Sequence, residues 1–206
     1  MDSMKIICVG RNYAAHAKEL GNQVPDEPVI FLKPKTALIA PGGAIFYPAF
    51  TNELHYECEL VVKISKNGKL ITPAQAKNYY QEVTLGIDFT ARDVQEKLKK
   101  KSLPWEKAKA FDQSAALGEW IEFSSLPNPR DIHFTFHKNN ALVQEGFSRN
   151  MIFTIEQIIA DVSDYFTLNI GDLIFTGTPP GVGECVVGDL LEGFLEGEKV
   201  LETQVK

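Results

Sequence analysis

The chain has few cysteines, no long apolar run and no concentrated basic face. Each shortage excludes a class. Cys8, Cys58 and Cys185 stand far apart, odd in number and without a CxxC spacing. That argues against a disulfide framework and against a cysteine-ligated zinc site, and it fits a reducing compartment. No apolar run approaches the roughly 20 residues that cross a bilayer, and no apolar stretch follows a basic start as in a secretory signal. The expectation is a cytoplasmic protein with no membrane partner. The 27 acidic residues outnumber the 21 Lys and Arg, for a formal net charge of −6. Phosphate binding needs clustered positive charge, so nucleic acid is not an expected partner. The one basic cluster, Lys97, Lys99, Lys100 and Lys101, reads as a solvated helix end. No internal repeat or low-complexity tract is present.

What remains is ordinary globular material, 44% apolar and 23% charged. A chain of 206 residues suits one sizeable core, and we expect a single domain over 1–206. Strands are expected over Met4 to Val9, Val29 to Leu32, Glu57 to Ser65, Val83 to Phe89, Asp172 to Thr176 and Lys199 to Val205. Short helices are expected over Tyr13 to Leu20, ended by Gly21, over Pro73 to Tyr80, and over Ala91 to Lys101. Asn67-Gly68 reads as a tight hairpin turn. Asn139-Asn140 reads as a second one, between His133 to Lys138 and Ala141 to Glu145. Ile155, Ile158, Ile159, Val162 and Phe166 fall on one helical face behind Thr154 and Gln157, which resemble a capping box. Strands outnumber helices and hairpins are frequent. The fold class is α+β, predominantly β, without the repeated βαβ order of a doubly wound sheet.

The stretch LHYECEL carries two carboxylates one residue apart. Alternation along a strand puts Glu57, Glu59 and Val61 on one face, and Cys58, Leu60, Val62 and Ile64 on a uniformly apolar other face. Two carboxylates aimed at one space repel unless a cation neutralises them; a solvated strand face is the competing explanation. Asp88, in LGIDFTARD, closes an apolar strand where a charge needs a reason. It could cap the following helix. With Glu57 and Glu59 it could also present three hard oxygen donors to Mg²⁺ or Mn²⁺.

These residues resemble the fumarylacetoacetate hydrolase family, in particular its short single-domain acylpyruvase and oxaloacetate decarboxylase type. The resemblance runs through VGRNYAAHAKELG, IFLKP, HYECEL, GIDFTARDVQ, LPWEKAKAFD and TGTPPGVG. It implies a mixed β-roll of the family's C-terminal-domain type, usually a homodimer, with Glu57, Glu59 and Asp88 holding Mg²⁺ or Mn²⁺. His16 and Glu19, three apart on one helix face, would be a surface pair on their own; the resemblance makes them a water-activating dyad on a segment that orders over ligand. Lys109 would be a solvated lysine by itself; the resemblance gives it a catalytic role. Arg92 and Gln95 share the helix face after Asp88 and match substrate-contacting positions, although Arg92 could instead pair with Asp93 or Glu96. Thr178, in a Gly-Thr-Pro-Pro-Gly loop that lacks a P-loop ending, matches a ligand-bonding position.

Two stretches depart from the family pattern, Gln113-Ser114-Ala115-Ala116 and Ser148-Arg149-Asn150. The implied activity is metal-dependent C–C cleavage of small β-diketo or α-keto acids through a metal-chelated pyruvate enolate, by acylpyruvate hydrolysis, oxaloacetate decarboxylation or both. The alternatives on the same scaffold are an isomerase or decarboxylase of 2-hydroxymuconate-type diacids and an oxaloacetate tautomerase. A non-enzymatic metal-binding protein is a third.

Overall fold

The computed structural model describes residues 4–19, 23–39 and 41–206. Among these residues the strands form three sheets. The largest has eight strands and is mixed. Its path runs through Val29–Lys33, Ile6–Gly10, Leu173–Phe175, Cys58–Ile64, Tyr80–Asp88, Ala115–Leu117 and Leu38–Ile39, with Ile121–Glu122 paired to Tyr80–Asp88. Ile6–Gly10 lies parallel to Leu173–Phe175, and Cys58–Ile64 lies antiparallel to both of its neighbours. A five-stranded sheet contains Ala141–Phe147, His133–Lys138, Leu190–Leu195, Glu198–Val205 and Ala44–Ile45. A small third sheet joins Gly183–Glu184, Leu54–Tyr56 and Thr90–Ala91. The architecture is mostly β with few helices, as the sequence suggests.

The alternation in CELVVKI is realised. Cys58, Leu60, Val62 and Ile64 enter the main core with Ile87, Phe134, Ile158 and Ile174. Val61 faces a second core with Cys8 and Phe175. Both faces of this strand are therefore buried, and no solvated face exists for Glu59. The helix Ile155–Tyr165 starts at Thr154, whose side chain accepts from Gln157 N–H in a capping box, and buries Ile155, Ile158, Ile159 and Val162. Asn139 and Asn140 have φ of 52° and 66°, the two left-handed residues of a type I′ hairpin.

Three expectations need correction. Asn67-Gly68 is not a two-residue hairpin. Gly68 exchanges backbone hydrogen bonds with Leu168, and Asn67 Oδ1 accepts from Ile170 N–H at 2.8 Å. Tertiary pairing has captured the turn signal. The helix after Pro73 stops at Ala76, because Tyr80 is already the first residue of the strand Tyr80–Asp88. The strand expected from Glu57 is interrupted at Glu57 itself, between Leu54–Tyr56 and Cys58–Ile64. The helix expected to Leu20 runs over Ala14–Glu19; Leu20 and the expected stop at Gly21 lie outside the described residues.

Candidate metal centre and active site

Glu57 marks the corner where the chain leaves the small sheet for the large one. Asp88 marks the reverse crossing, from Tyr80–Asp88 toward Thr90–Ala91. The two corners are tied by a hydrogen bond from Asp88 N–H to the Glu57 carbonyl at 2.8 Å. Glu59 is one pleat further along, opposite Gly86. This crossing brings one carboxylate oxygen from each of Glu57, Glu59 and Asp88 within 4.8 Å of one another. All three side chains are buried.

Three cations enclose the group. Lys109 Nζ donates to Glu57 Oε2 at 2.8 Å, Asp88 Oδ2 at 2.6 Å and Thr90 Oγ1 at 2.6 Å. Arg92 gives one guanidinium nitrogen to Glu57 Oε1 at 2.6 Å and the other to Gln95 Oε1 at 2.7 Å. Its Nε–H points to His55 Nδ1 at 3.4 Å. Burial, then Arg92, holds His55 down to about 4, so it meets that N–H as a neutral acceptor. Lys33, fully buried, lies 2.7 Å from Asp88 Oδ1. Its hydrogens go instead to the carbonyls of Lys109 and Ser114 and to Ser114 Oγ. Among the described residues Asp88 Oδ1 is thus ion-paired yet accepts no hydrogen bond.

The electrostatics separate the two glutamates. Burial disfavours the charged form of Glu57, but Lys109 and Arg92 overcome it and hold the carboxyl well below its usual range. Glu59 goes the other way. Burial, Asp88 and Glu57 raise it, against the Gly177 N–H, which donates at 2.7 Å, and Lys109. Lys109 is held protonated above its usual value: burial opposes this, and Asp88 and Glu57 outweigh it.

A hard divalent cation fits this donor set. The three donors are all oxygens, and among the described residues Asp88 Oδ1 accepts no hydrogen bond and Glu59 has no ion-pair partner. Glu57, Glu59 and Asp88 are the residues that could hold Mg²⁺ or Mn²⁺.

A small cavity of about 40 Å³ opens beside the cluster. Its walls include His16, Phe31, Glu57, Arg92, Gln95, Trp105 and Lys109, so five stretches separated in sequence converge there. His16 is buried, and its Nδ1 lies 3.0 Å from Glu19 Oε2. With Nδ1–H donating to the carboxylate, Nε2 keeps the lone pair. Glu19 Oε1 also accepts from Gly181 N–H at 3.2 Å. The preceding Asn12 is fully buried and anchors the segment through Phe153 O, Thr176 O and Phe153 N–H.

Thr178 stands apart from this convergence. Its hydroxyl donates to Cys58 O at 2.8 Å and accepts from Gln144 Nε2 at 2.8 Å, and it is not among the residues lining the cavity. The same loop contributes Gly177 instead. Its φ of 98° and the 2.7 Å that a Cβ would leave to Asn12 Cβ require glycine. Arg92 does not make the surface ion pairs that its neighbours Asp93 and Glu96 offer; Asp93 pairs with Lys97. Of the two departures from the family pattern, Gln113–Ala116 touches the site through Ser114, which is buried under Lys33 and donates to Lys109 O at 2.9 Å. Ser148–Asn150 forms a 3₁₀ turn whose Ser148 accepts from Ile132 N–H at 2.8 Å, and none of its residues lines the cavity.

Sequence reasoning gave no role to Lys33, Thr90, His55, Arg11 or Lys99. Lys33 carried a usable signal, a lysine closing an apolar strand before Pro34. Lys99 was absorbed into a basic run, yet only Lys99 of that run lines the cavity. Lys97 is exposed, with its ammonium toward Asp93.

Comparison with known proteins agrees with the geometry. Residues 5–206 match the family model described as fumarylacetoacetate (FAA) hydrolase C-terminal. The chain is 44% identical over 201 residues to the mitochondrial oxaloacetate tautomerase FAHD1 of Mus musculus, covering 98% of this chain and 91% of that one. It superimposes with a TM-score of 0.91 and 36% identity on fumarylpyruvate hydrolase from Pseudomonas aeruginosa, solved with Mn²⁺ and pyruvate, over 98% of this chain and 88% of that one. It also resembles a 5-carboxymethyl-2-hydroxymuconate delta-isomerase from Mycobacterium smegmatis, with a TM-score of 0.87 and 37% identity, over 98% and 78% of the two chains. The chain belongs to the fumarylacetoacetate hydrolase family.

Proposed function

We propose that this one domain is a Mg²⁺- or Mn²⁺-dependent enzyme that generates an enolate from small 2-oxo acids, by C–C cleavage of acylpyruvates, decarboxylation of oxaloacetate, or both. The observation that carries the reading is a cluster of three buried carboxylates beside one cavity, which Glu57 of the cluster, the buried Lys109 and the Glu19-paired His16 line. A bound divalent ion would supply Lewis-acid stabilisation of the negative charge that develops on the 2-oxo oxygen.

The chain's own residues supply the rest. Glu57, Glu59 and Asp88 hold the ion, with Lys33 and Arg92 fixing the orientation of Asp88 and Glu57. Lys109 is held protonated by Asp88 and Glu57 and lines the cavity, where it would stabilise the oxyanion formed when water adds. Arg92 and Gln95 orient the substrate carboxylate. His16 takes the proton from the attacking water at Nε2, and Glu19 fixes the tautomer and supports the imidazolium. Pyruvate enolate then leaves. Decarboxylation yields the same enolate without the water, and tautomerisation needs only proton transfer at the adjacent carbon. A shared enolate would let one such site serve the activities for which its relatives are named, hydrolase, tautomerase and isomerase. Thr178 is proposed to hold the loop rather than the ligand.

The test is a spectrophotometric panel of acetylpyruvate, fumarylpyruvate and oxaloacetate, with chelator and after Mn²⁺ is restored. Turnover of at least one substrate, lost with chelator and recovered with metal, is the expected result. Metal binding without turnover of any of them would favour a non-catalytic protein.

A further inference from the structure

We infer that Arg11 and Lys99 form a subsite for a second carboxylate, so that the cavity favours 2-oxo diacids over 2-oxo acids with uncharged tails. The inference rests on the keto-acid reading above and narrows it.

Four cationic side chains line the cavity: Arg11, Arg92, Lys99 and Lys109. Two already hold a carboxylate of the chain: Arg92 bonds Glu57 and Gln95 and faces His55; Lys109 bonds Glu57, Asp88 and Thr90. The other two differ. Among the described residues neither Arg11 nor Lys99 has a carboxylate within ion-pair distance.

Lys99 reaches the cavity because it is seven residues beyond Arg92 and four beyond Gln95 on the helix Arg92–Lys100, hence on the same face. Its ammonium lies 5.6 Å from the Trp105 ring centroid, within cation–π range. Burial, then Arg92 and Arg11, disfavours its charge. Arg11 lines the same cavity from the turn after Ile6–Gly10, on a residue of positive φ, 62°, just before the anchored Asn12. Two like charges held at one cavity without a counter-ion repel. A ligand that brings a negative charge there removes the repulsion and gains two charge-assisted bonds. The first carboxylate of a 2-oxo acid is already served at the metal side by Arg92 and Gln95, so Arg11 and Lys99 match a second one.

The test reads binding, not turnover. Mn²⁺-loaded protein is titrated calorimetrically with matched pairs: 2-oxoglutarate against 2-oxovalerate, and 2-oxoadipate against 2-oxohexanoate. The wild type is expected to bind at least one diacid about tenfold tighter than its uncharged match, equivalent to about 1.4 kcal/mol. Lys99→Met and Arg11→Met are each expected to remove most of that ratio while changing the uncharged ligand by less than about twofold. Lys99→Arg should keep most of the ratio. Equal Mn²⁺ stoichiometry and melting temperature certify that the variants are folded. A wild-type ratio near one in both pairs, or an unchanged ratio in Lys99→Met and Arg11→Met, overturns the inference. If the diacid ratio is present but no substrate turns over in the panel above, the catalytic reading fails and the subsite stands.

Discussion

Glu57, Glu59 and Asp88 sit on or beside strands paired on both edges, whereas His16 and Glu19 ride on a six-residue helix. Glu57 and Asp88 are locked by three cations and by the corner-to-corner backbone bond, and Glu59 by the Gly177 N–H. The helix Ala14–Glu19 is tied back through Asn12, through the Tyr13–Met151 bridge and through the Glu19–Gly181 contact. The difference teaches where stability and chemistry coincide. In the sheet-borne cluster every charged group is also a structural member, because a buried charge left alone is costly. In the dyad His16 is tied to Glu19 rather than to the sheets, so its removal should be felt mainly in chemistry.

The largest effect is expected for Asp88→Asn, which touches both properties. It removes one donor from the proposed ligand set and an ionic partner from both Lys33 and Lys109. Metal-dependent turnover should fall by at least about 10³-fold, and thermal unfolding should show a lower midpoint as well. A variant that is inactive but as stable as wild type would break the claim that this half of the site is structural.

Lys33→Met comes next. It strands Asp88 Oδ1 and removes the donor shared by the Lys109 and Ser114 carbonyls. Breaking a buried pair typically costs about 3–5 kcal/mol, or about 10 °C in a chain of this size. A midpoint shift of only a degree or two, read by calorimetry, would mean that Asp88 does not need its lysine.

His16→Ala tests the other region. Acylpyruvate hydrolysis should drop by about 10²–10⁴-fold, oxaloacetate decarboxylation much less, and the melting temperature should hardly change. Equal losses in both rates would refute the assignment of His16 to the water.

Gly177→Ala joins the two regions and has the smallest expected effect. The residue donates its N–H to Glu59 and packs on Asn12. A Cβ there meets Asn12 and Val9 O at 2.7 and 3.1 Å with φ at 98°. A cost of about 1–3 kcal/mol follows, with weaker metal binding than an equally destabilising change in the main core would give. If metal binding is untouched, the loop does not communicate with Glu59.

Much of the sheet was legible because period-2 patterns such as CELVVKI and period-3.6 patterns such as Ile155 to Val162 report burial directly. The ends of elements were less so. Glu57 interrupts its strand because the chain changes sheets there, which no local pattern records. Asn67-Gly68 failed as a hairpin signal because Leu168 pairs with it from 100 residues away. In the site, alternation and the apolar context of Asp88 pointed to carboxylates, and the family resemblance added His16, Glu19 and Lys109. Lys33 and Lys99 were missed for opposite reasons. Lys33 is an isolated charge whose partner is 55 residues away, and Lys99 is hidden in a run of lysines of which it alone lines the cavity.

The account depends most on Glu57, Glu59 and Asp88 gripping one ion together. Titration of metal-free protein with Mn²⁺, followed by calorimetry and by the paramagnetic resonance of free ion, tests it directly. The account predicts one tight site per chain in the wild type, and its loss or strong weakening in Glu57→Gln, Glu59→Gln and Asp88→Asn taken singly. A site of unchanged stoichiometry and affinity in any one of the three folded variants would contradict it.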